Sequence, residues 1–227
     1  MPNKGKRYTG NVKKVDKTKL YSPTEAIELL KTMAKAKFDE SVEIHMGLGI
    51  DPRQGDQQVR GTVVMPHSIG KEKRVAVFAE GEAELEAKKA GADLVGAADL
   101  IDKIRTTGKI DFDVAVATPD MMARLAQVAK ILGPRGLMPS PKNETVTKNV
   151  ARAVAELKAG KVAFKNDNTS NLHQMIGKIS APTENLVANF DAVLDAVKRA
   201  KPASSKGTYV QHVTLTTTMG PGVRIQL

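Results

Sequence analysis

Residues 74–132 read RVAVFAEGEAELEAKKAGADLVGAADLIDKIRTTGKIDFDVAVATPDMMARLAQVAKIL, and their rhythm decides the fold class. Short continuous apolar runs, RVAVFA at 74–79, DLVG at 93–96 and DVAVAT at 113–118, alternate with stretches at helical spacing. Those stretches run through Leu85 and Ala90, across 97–105, and through PDMMARLAQVAKIL at 119–132. A strand apolar on both faces must be covered on both faces, so the alternation predicts a parallel sheet between two layers of helices. A further helix, TVTKNVARAVAELKAG at 145–160, completes the block.

On both sides of this block the period changes to two. SVEIHMGLGI at 41–50 sets Val42, Ile44, Met46, Leu48 and Ile50 on one side, and QVRGTVVM at 58–65 reads as a second strand. After Gly160 the alternation returns in KVAFKND, LHQMIGKIS, YVQHVTLTTTM and GVRIQL. Two helices accompany these strands. Ser22 and Glu25 form a capping box with Pro23 at the first helical position, ahead of Ala26, Ile27, Leu29, Leu30 and Met33. The other helix, 182–200, lies between Pro182 and Pro202, and PASSKGT at 202–208 reads as a flexible connector.

Charge divides the chain the same way: residues 1–67 carry a net +4, residues 68–159 +2 and residues 160–227 +4. Two outer segments that share a pattern and a sign point to one domain interrupted by another. The fold class expected is therefore α/β and α+β in two domains. Residues 1–67 and 160–227 form a discontinuous α+β domain with an antiparallel sheet and helices, and residues 68–159 an inserted three-layer α/β domain with a parallel sheet.

The 35 basic and 25 acidic residues leave a formal charge of +10, which favours a polyanionic partner. No apolar stretch approaches the roughly 18 residues of a spanning helix, and the N-terminus lacks the hydrophobic region of a signal peptide, so a cytoplasmic protein without a membrane partner is expected. The chain has no Cys, which excludes disulfides and thiolate chemistry. Aromatic residues make up only 4% and Trp is absent, so a platform of stacked rings is not expected, and nucleic-acid contact must use other chemistry. Residues 1–19 hold Lys4, Lys6, Arg7, Lys13, Lys14, Lys17 and Lys19 against Asp16 alone, either a solvated tail or a basic arm.

Catalytic signatures are missing. Gly47 and Gly49 lie inside a strand pattern, with Pro52 where a dinucleotide fingerprint needs its third glycine, and no GxxxxGK[ST] run occurs. The histidines His45, His67, His173 and His212 form no HExxH or HxxxH pair, and no GxSxG elbow is present. The carboxylates of EAELEAKK at 82–89 sit at helical spacing from lysines, as on a solvated face. No cofactor, metal or small-molecule substrate is expected. The loop GPRGLMPSPK at 133–142 reads as a helix stop and rigid turn, with an anion or RNA contact as the alternative.

Three long irregular strings, GPRGLMPSPK, AKFDESVEIHMGLGIDPRQGDQQVRGTVVMPH and TTTMGPGVRI, resemble the bacterial L-one ribosomal protein family, and the likeness extends over essentially the whole chain. The resemblance implies a structural protein of the large ribosomal subunit that binds a folded junction of large-subunit ribosomal RNA at the mobile stalk. It also implies contact with exit-site tRNA as that tRNA leaves, with other ribosomal components, and with the leader of its own mRNA, whose translation it represses. By similarity the RNA contacts fall on Lys37, Phe38 and Ser41, on Lys165, Asn166, Asp167 and His173, and on Thr216, Thr218, Met219 and Gly220. Position 41 departs modestly from the family, where Thr is common.

These residue types suit RNA, whose shallow minor groove offers 2′-hydroxyls and phosphates to short polar side chains and close backbone. In a strand Thr216 and Thr218 should leave one face and Thr217 the other, while Gly220 admits the backbone and Met219 adds a flexible apolar contact. Thr runs are also ordinary strand formers, and Phe38 taken alone reads as a core residue. Two rival functions remain: a general basic RNA chaperone, and a nucleotide-dependent enzyme seated in the middle domain.

Overall fold

The computed structural model describes residues 5–70 and 73–226. In chain order the elements begin with α1 (Lys6–Val12), α2 (Pro23–Met33), β1 (Ser41–Leu48), β2 (Arg60–Val64), β3 (Val75–Phe78), α3 (Glu82–Lys89), β4 (Leu94–Gly96), α4 (Ala98–Thr107) and β5 (Val114–Ala117). They continue with α5 (Met122–Leu125), α6 (Ala129–Leu132), α7 (Val150–Lys158), β6 (Lys161–Lys165), β7 (Asn171–Lys178), α8 (Thr183–Arg199), β8 (Val210–Thr217) and β9 (Val223–Ile225). The chain divides into two compact units, Met1–Gly70 with Ala163–Leu227, and Lys71–Val162. The antiparallel and parallel sheets stand in separate units, as the two rhythms predict.

In the first unit four strands run in the order β7-β1-β8-β9, each antiparallel to its neighbours. Val42, Ile44, Met46 and Leu48 of β1 are buried, with Val213 and Leu215 of β8 and Leu172 and Ile176 of β7. Helices α2 and α8 bury Ile27, Leu30, Leu186, Phe190, Val193 and Val197. The capping box of α2 forms as read, Ser22 Oγ accepting from Glu25 N and Glu25 Oε2 accepting from Ser22 N. Asn189, 1% exposed, accepts from His67 N and donates to the carbonyls of His67 and Ile176.

Two parts of this unit differ from the sequence reading. Within 5–19, part of the stretch read as either a solvated tail or a basic arm, Lys6–Val12 is helical, and buried Asn11 donates to the Met33 carbonyl at 3.0 Å, satisfying an acceptor that the end of α2 leaves open. Lys4 lies outside the described residues. The connector 202–208 is pinned by Ser205, which is buried and donates to the Gly49 carbonyl at 3.0 Å.

The second unit has three parallel strands in the order β4-β3-β5. Both faces of β3 are buried. Ala76 and Phe78 pack with Ile101, Ile104, Met121, Leu125 and Leu132, while Val75 and Val77 pack with Ala87, Val150 and Val154, giving three layers.

Two helices here are shorter than their periodicity suggests. The predicted helix 119–132 is broken into 3-10 turns at Pro119–Met121 and Ala126–Val128 with α5 and α6 between and after them. Met121, Leu125, Val128 and Leu132 still line the core, so burial keeps the apolar spacing while the local bonding tightens. The predicted helix 145–160 begins only at Val150. Thr145, Val146 and Thr147 are β-branched and run beside β5, with Ala117 N donating to the Thr145 carbonyl at 2.9 Å and Thr147 N to the Ala117 carbonyl at 3.1 Å. Asn149 then caps α7 by accepting from Arg152 N. Among the described residues no helix is long and apolar enough to cross a membrane.

Candidate nucleic-acid interface

Because side chains alternate across a strand, the burial of Val42, Ile44 and Met46 sends Glu43, His45 and Gly47 to the opposite, polar face of the sheet. The same alternation buries Val213, Leu215 and Thr217 on β8 and leaves Thr214 and Thr216 half-buried. One cross-strand row on this face is Arg224, Thr214, His45 and His173, paired in register through β9, β8, β1 and β7. His45 and His173 meet edge to face with ring centroids 4.9 Å apart and their Nδ1 atoms 2.7 Å apart. His45 Nε2 lies 3.3 Å from Thr216 Oγ1, and His173 Nε2 lies 3.6 Å from Asp167 Oδ2. The His212 ring lies over Gly47, where an added Cβ would meet it at 2.1 Å and displace it.

At one end of β1 a second group assembles from three distant segments. Ser41 N donates to Thr218 Oγ1 at 2.9 Å, and Thr218 N returns a bond to the Ser41 carbonyl at 3.1 Å. Thr216 and Thr218 stand away from buried Thr217, but β8 ends at Thr217, and Thr218 belongs to the turn that follows. Lys178 Nζ donates to Ser41 Oγ at 3.0 Å and to the Asp39 carbonyl at 3.2 Å. Phe38 and Met219, 54% and 50% exposed, present apolar surface beside these hydroxyls, and Lys37 is also exposed. Phe38 is thus no core residue. Gly220 closes the turn by donating to the Thr217 carbonyl, and a Cβ there would lie 2.4 Å from Thr217 Oγ1.

Sequence reasoning missed the residue that joins these segments. Glu40 is 2% exposed, and its carboxylate accepts from Ala36 N at 3.3 Å and from Met219 N at 3.1 Å. Nothing local marks it, because one partner lies 179 positions away. Lys178 was missed for the same reason.

The third group is the turn between β6 and β7. Lys165 is exposed, but Asn166 is only 5% exposed and its amide is engaged, accepting from Val59 N at 2.9 Å and donating to the Asp167 carbonyl at 2.8 Å. Asp167 takes the Thr169 hydroxyl at 2.6 Å and the backbone N–H groups of Thr169 and Asn171. Those bonds, the Thr169 hydroxyl foremost, hold its carboxyl down at about 2. A depressed carboxyl contributes its full stability to the turn above the ordinary value of 3.8 and loses it as pH falls through about 2. A carboxyl-carbon NMR titration is therefore expected to give Asp167 a midpoint near 2. A midpoint near the ordinary value would mean that these bonds do not persist in solution.

The arrangement offers short hydroxyls, exposed cations, two exposed apolar side chains and close backbone, a set suited to the shape of folded RNA. All eleven residues expected from the resemblance lie in the first unit, in contiguous or bonded segments. In the second unit the 133–142 loop anchors Leu137 and Met138 on the core, turns at Gly136 with φ +70°, and leaves Arg135 and Lys142 exposed. Among the described residues no group of three His, Cys, Asp or Glu side chains could hold a metal ion.

The large ribosomal subunit protein uL1 of Corynebacterium diphtheriae is 54% identical over 225 residues, covering 99% of this chain and 95% of that protein. A model of the ribosomal protein L1p/L10e family matches residues 30–221, a span holding β1, the turn after β6 and the Thr216–Gly220 segment. The chain belongs to the ribosomal protein L1p/L10e family.

Proposed function

We propose that the protein is a non-catalytic constituent of the large ribosomal subunit, in the bacterial cytoplasm, that binds large-subunit rRNA at the mobile stalk through the face and end of its four-stranded sheet. The observation that carries this is the convergence of Phe38, Ser41, Thr218 and Met219 on one exposed surface beside Lys37 and Lys178. Thr216 and His173 extend that surface along the sheet, and Lys165 extends it at the turn. Asn166 and Asp167 act by shaping the turn, because their polar atoms are already engaged. The first unit holds the rRNA, and the inserted unit moves with the stalk against exit-site tRNA and helps its release. The same surface, presented with a similar fold in the leader of its own mRNA, represses translation of that message.

Two substitutions separate shape from charge. Thr218→Val removes the acceptor of the Ser41 N–H and is expected to weaken binding to a stalk-junction transcript by roughly 1–3 kcal/mol with little change in salt dependence. Lys37→Ala is expected to reduce the slope of log affinity against log salt by about one, the effect of one lost phosphate contact. Titrations at several salt concentrations read both. If Thr218→Val binds like the parent while unstructured RNA competes as well as the junction, the protein is a general basic chaperone instead.

A further inference from the structure

We propose that His45 and His173 form a one-proton sensor within the RNA-binding face, so that docking of an RNA phosphate there draws a single proton onto the pair. The inference rests on the rRNA-binding reading above and adds a regulation of the same surface. Its basis is geometric. Two Nδ1 atoms 2.7 Å apart can share one proton, donated by one ring and accepted by the other, but two protons on that axis would face each other. The pair therefore accommodates the neutral and the singly charged forms and resists the doubly charged one.

The surroundings of His45 favour its neutral form in the absence of RNA. Burial, and then the neighbouring His173, hold His45 below its usual range, and Glu43 at 3.8 Å opposes them more weakly. Among the described residues, the titratable and charged groups facing the pair are Glu43 on β1 and Asp167 in the turn before β7, while β8 contributes the Thr216 and Thr214 hydroxyls and, farther along the same face, the His212 imidazole. Arg224 on β9 stands one strand beyond Thr214, and His212 lies over Gly47. A phosphate oxygen arriving over this row meets Thr216, Thr214 and Arg224 and stabilises an imidazolium beside them, raising its affinity for a proton.

The sign follows. A proton taken up on binding makes affinity increase as pH falls, across the window between the pKa of the pair with RNA bound and its lower value without RNA. One proton limits the gain to about tenfold per pH unit, since an equilibrium constant changes with pH only as fast as protons are bound. Below the window the pair is already charged and the gain stops.

The test is the affinity of the intact chain for a stalk-junction transcript between pH 5.5 and 8 at constant ionic strength. Calorimetry in two buffers of different ionisation enthalpy counts the protons. The parent is expected to tighten by up to about tenfold per unit as pH falls and to take up as much as one proton, and the His45→Gln and His173→Gln double variant to lose this slope whatever its affinity. Tight but pH-independent binding by the parent, or a slope that survives in the double variant and so belongs to the RNA, overturns the sensor alone. No binding at any pH overturns the rRNA reading, and the sensor with it.

Discussion

Phe190→Ala is expected to destabilise the first unit by about 3–5 kcal/mol, the usual cost of deleting a buried phenyl ring. Phe190 is 1% exposed on α8, among the side chains that hold the helix against the sheet, and Asn189 next to it ties α8 to β7 and to His67. Loosening α8 thus removes the support under the whole binding face. The core clusters of the second unit contain only residues of that unit, so its opening should change little. The chain has no Trp, which makes hydrogen exchange read by peptide mass spectrometry the better probe. Peptides from α2, β1 and β8 should lose protection while those from β3 and β5 keep theirs. Loss of protection in both sets together would show that the two units open as one cooperative structure.

Glu40→Ala is expected to cost about 3 kcal/mol, the sum for two hydrogen bonds to a charged acceptor, and to lower affinity for a stalk-junction transcript at least tenfold. The substitution leaves the N–H groups of Ala36 and Met219 without their acceptor and frees two segments that carry Lys37, Phe38 and Met219. Glu40 is a positioning residue, so Glu40→Gln is the informative companion. Its single amide oxygen can serve one of the two donors, while its NH2 opposes the other, and an intermediate affinity is expected. Affinity unchanged in Glu40→Ala, measured on protein shown to be folded by circular dichroism, would place the recognition surface elsewhere.

Much of the fold was legible because burial leaves a period in the sequence. Val75, Ala76, Val77 and Phe78 form a continuous apolar run because helices cover both sides of β3, and Val42, Ile44 and Met46 alternate because the other face of β1 is polar. Local chemistry was legible too, as with Ser22 and Glu25, whose mutual bonds span three residues. The errors share a cause. At 145–149 three β-branched residues and the capping Asn149 were absorbed into a helical period, and only the carbonyl and N–H of Ala117 turn that stretch into an extended edge. At 119–132 the period was right and the bonding was not, because a 3-10 turn and an α turn bury nearly the same residues.

The sequence by itself determined which residues are apolar and at what spacing, and hence the two sheet types, and it supplied a basic chain without the residues for disulfides or recognised catalytic motifs. Only the tertiary structure decided what the polar residues do. Phe38 is exposed, Asn166 is inward and bonded on both sides of its amide, Glu40 bridges to Met219, and His45 meets His173 from 128 positions away. Hydrophobic burial is non-directional and sums over many residues, so it survives as a statistical period. A hydrogen bond requires its two partners within about 3 Å of each other and at a favourable angle, and for segments far apart in the chain that meeting is arranged by packing between elements, which no local pattern records.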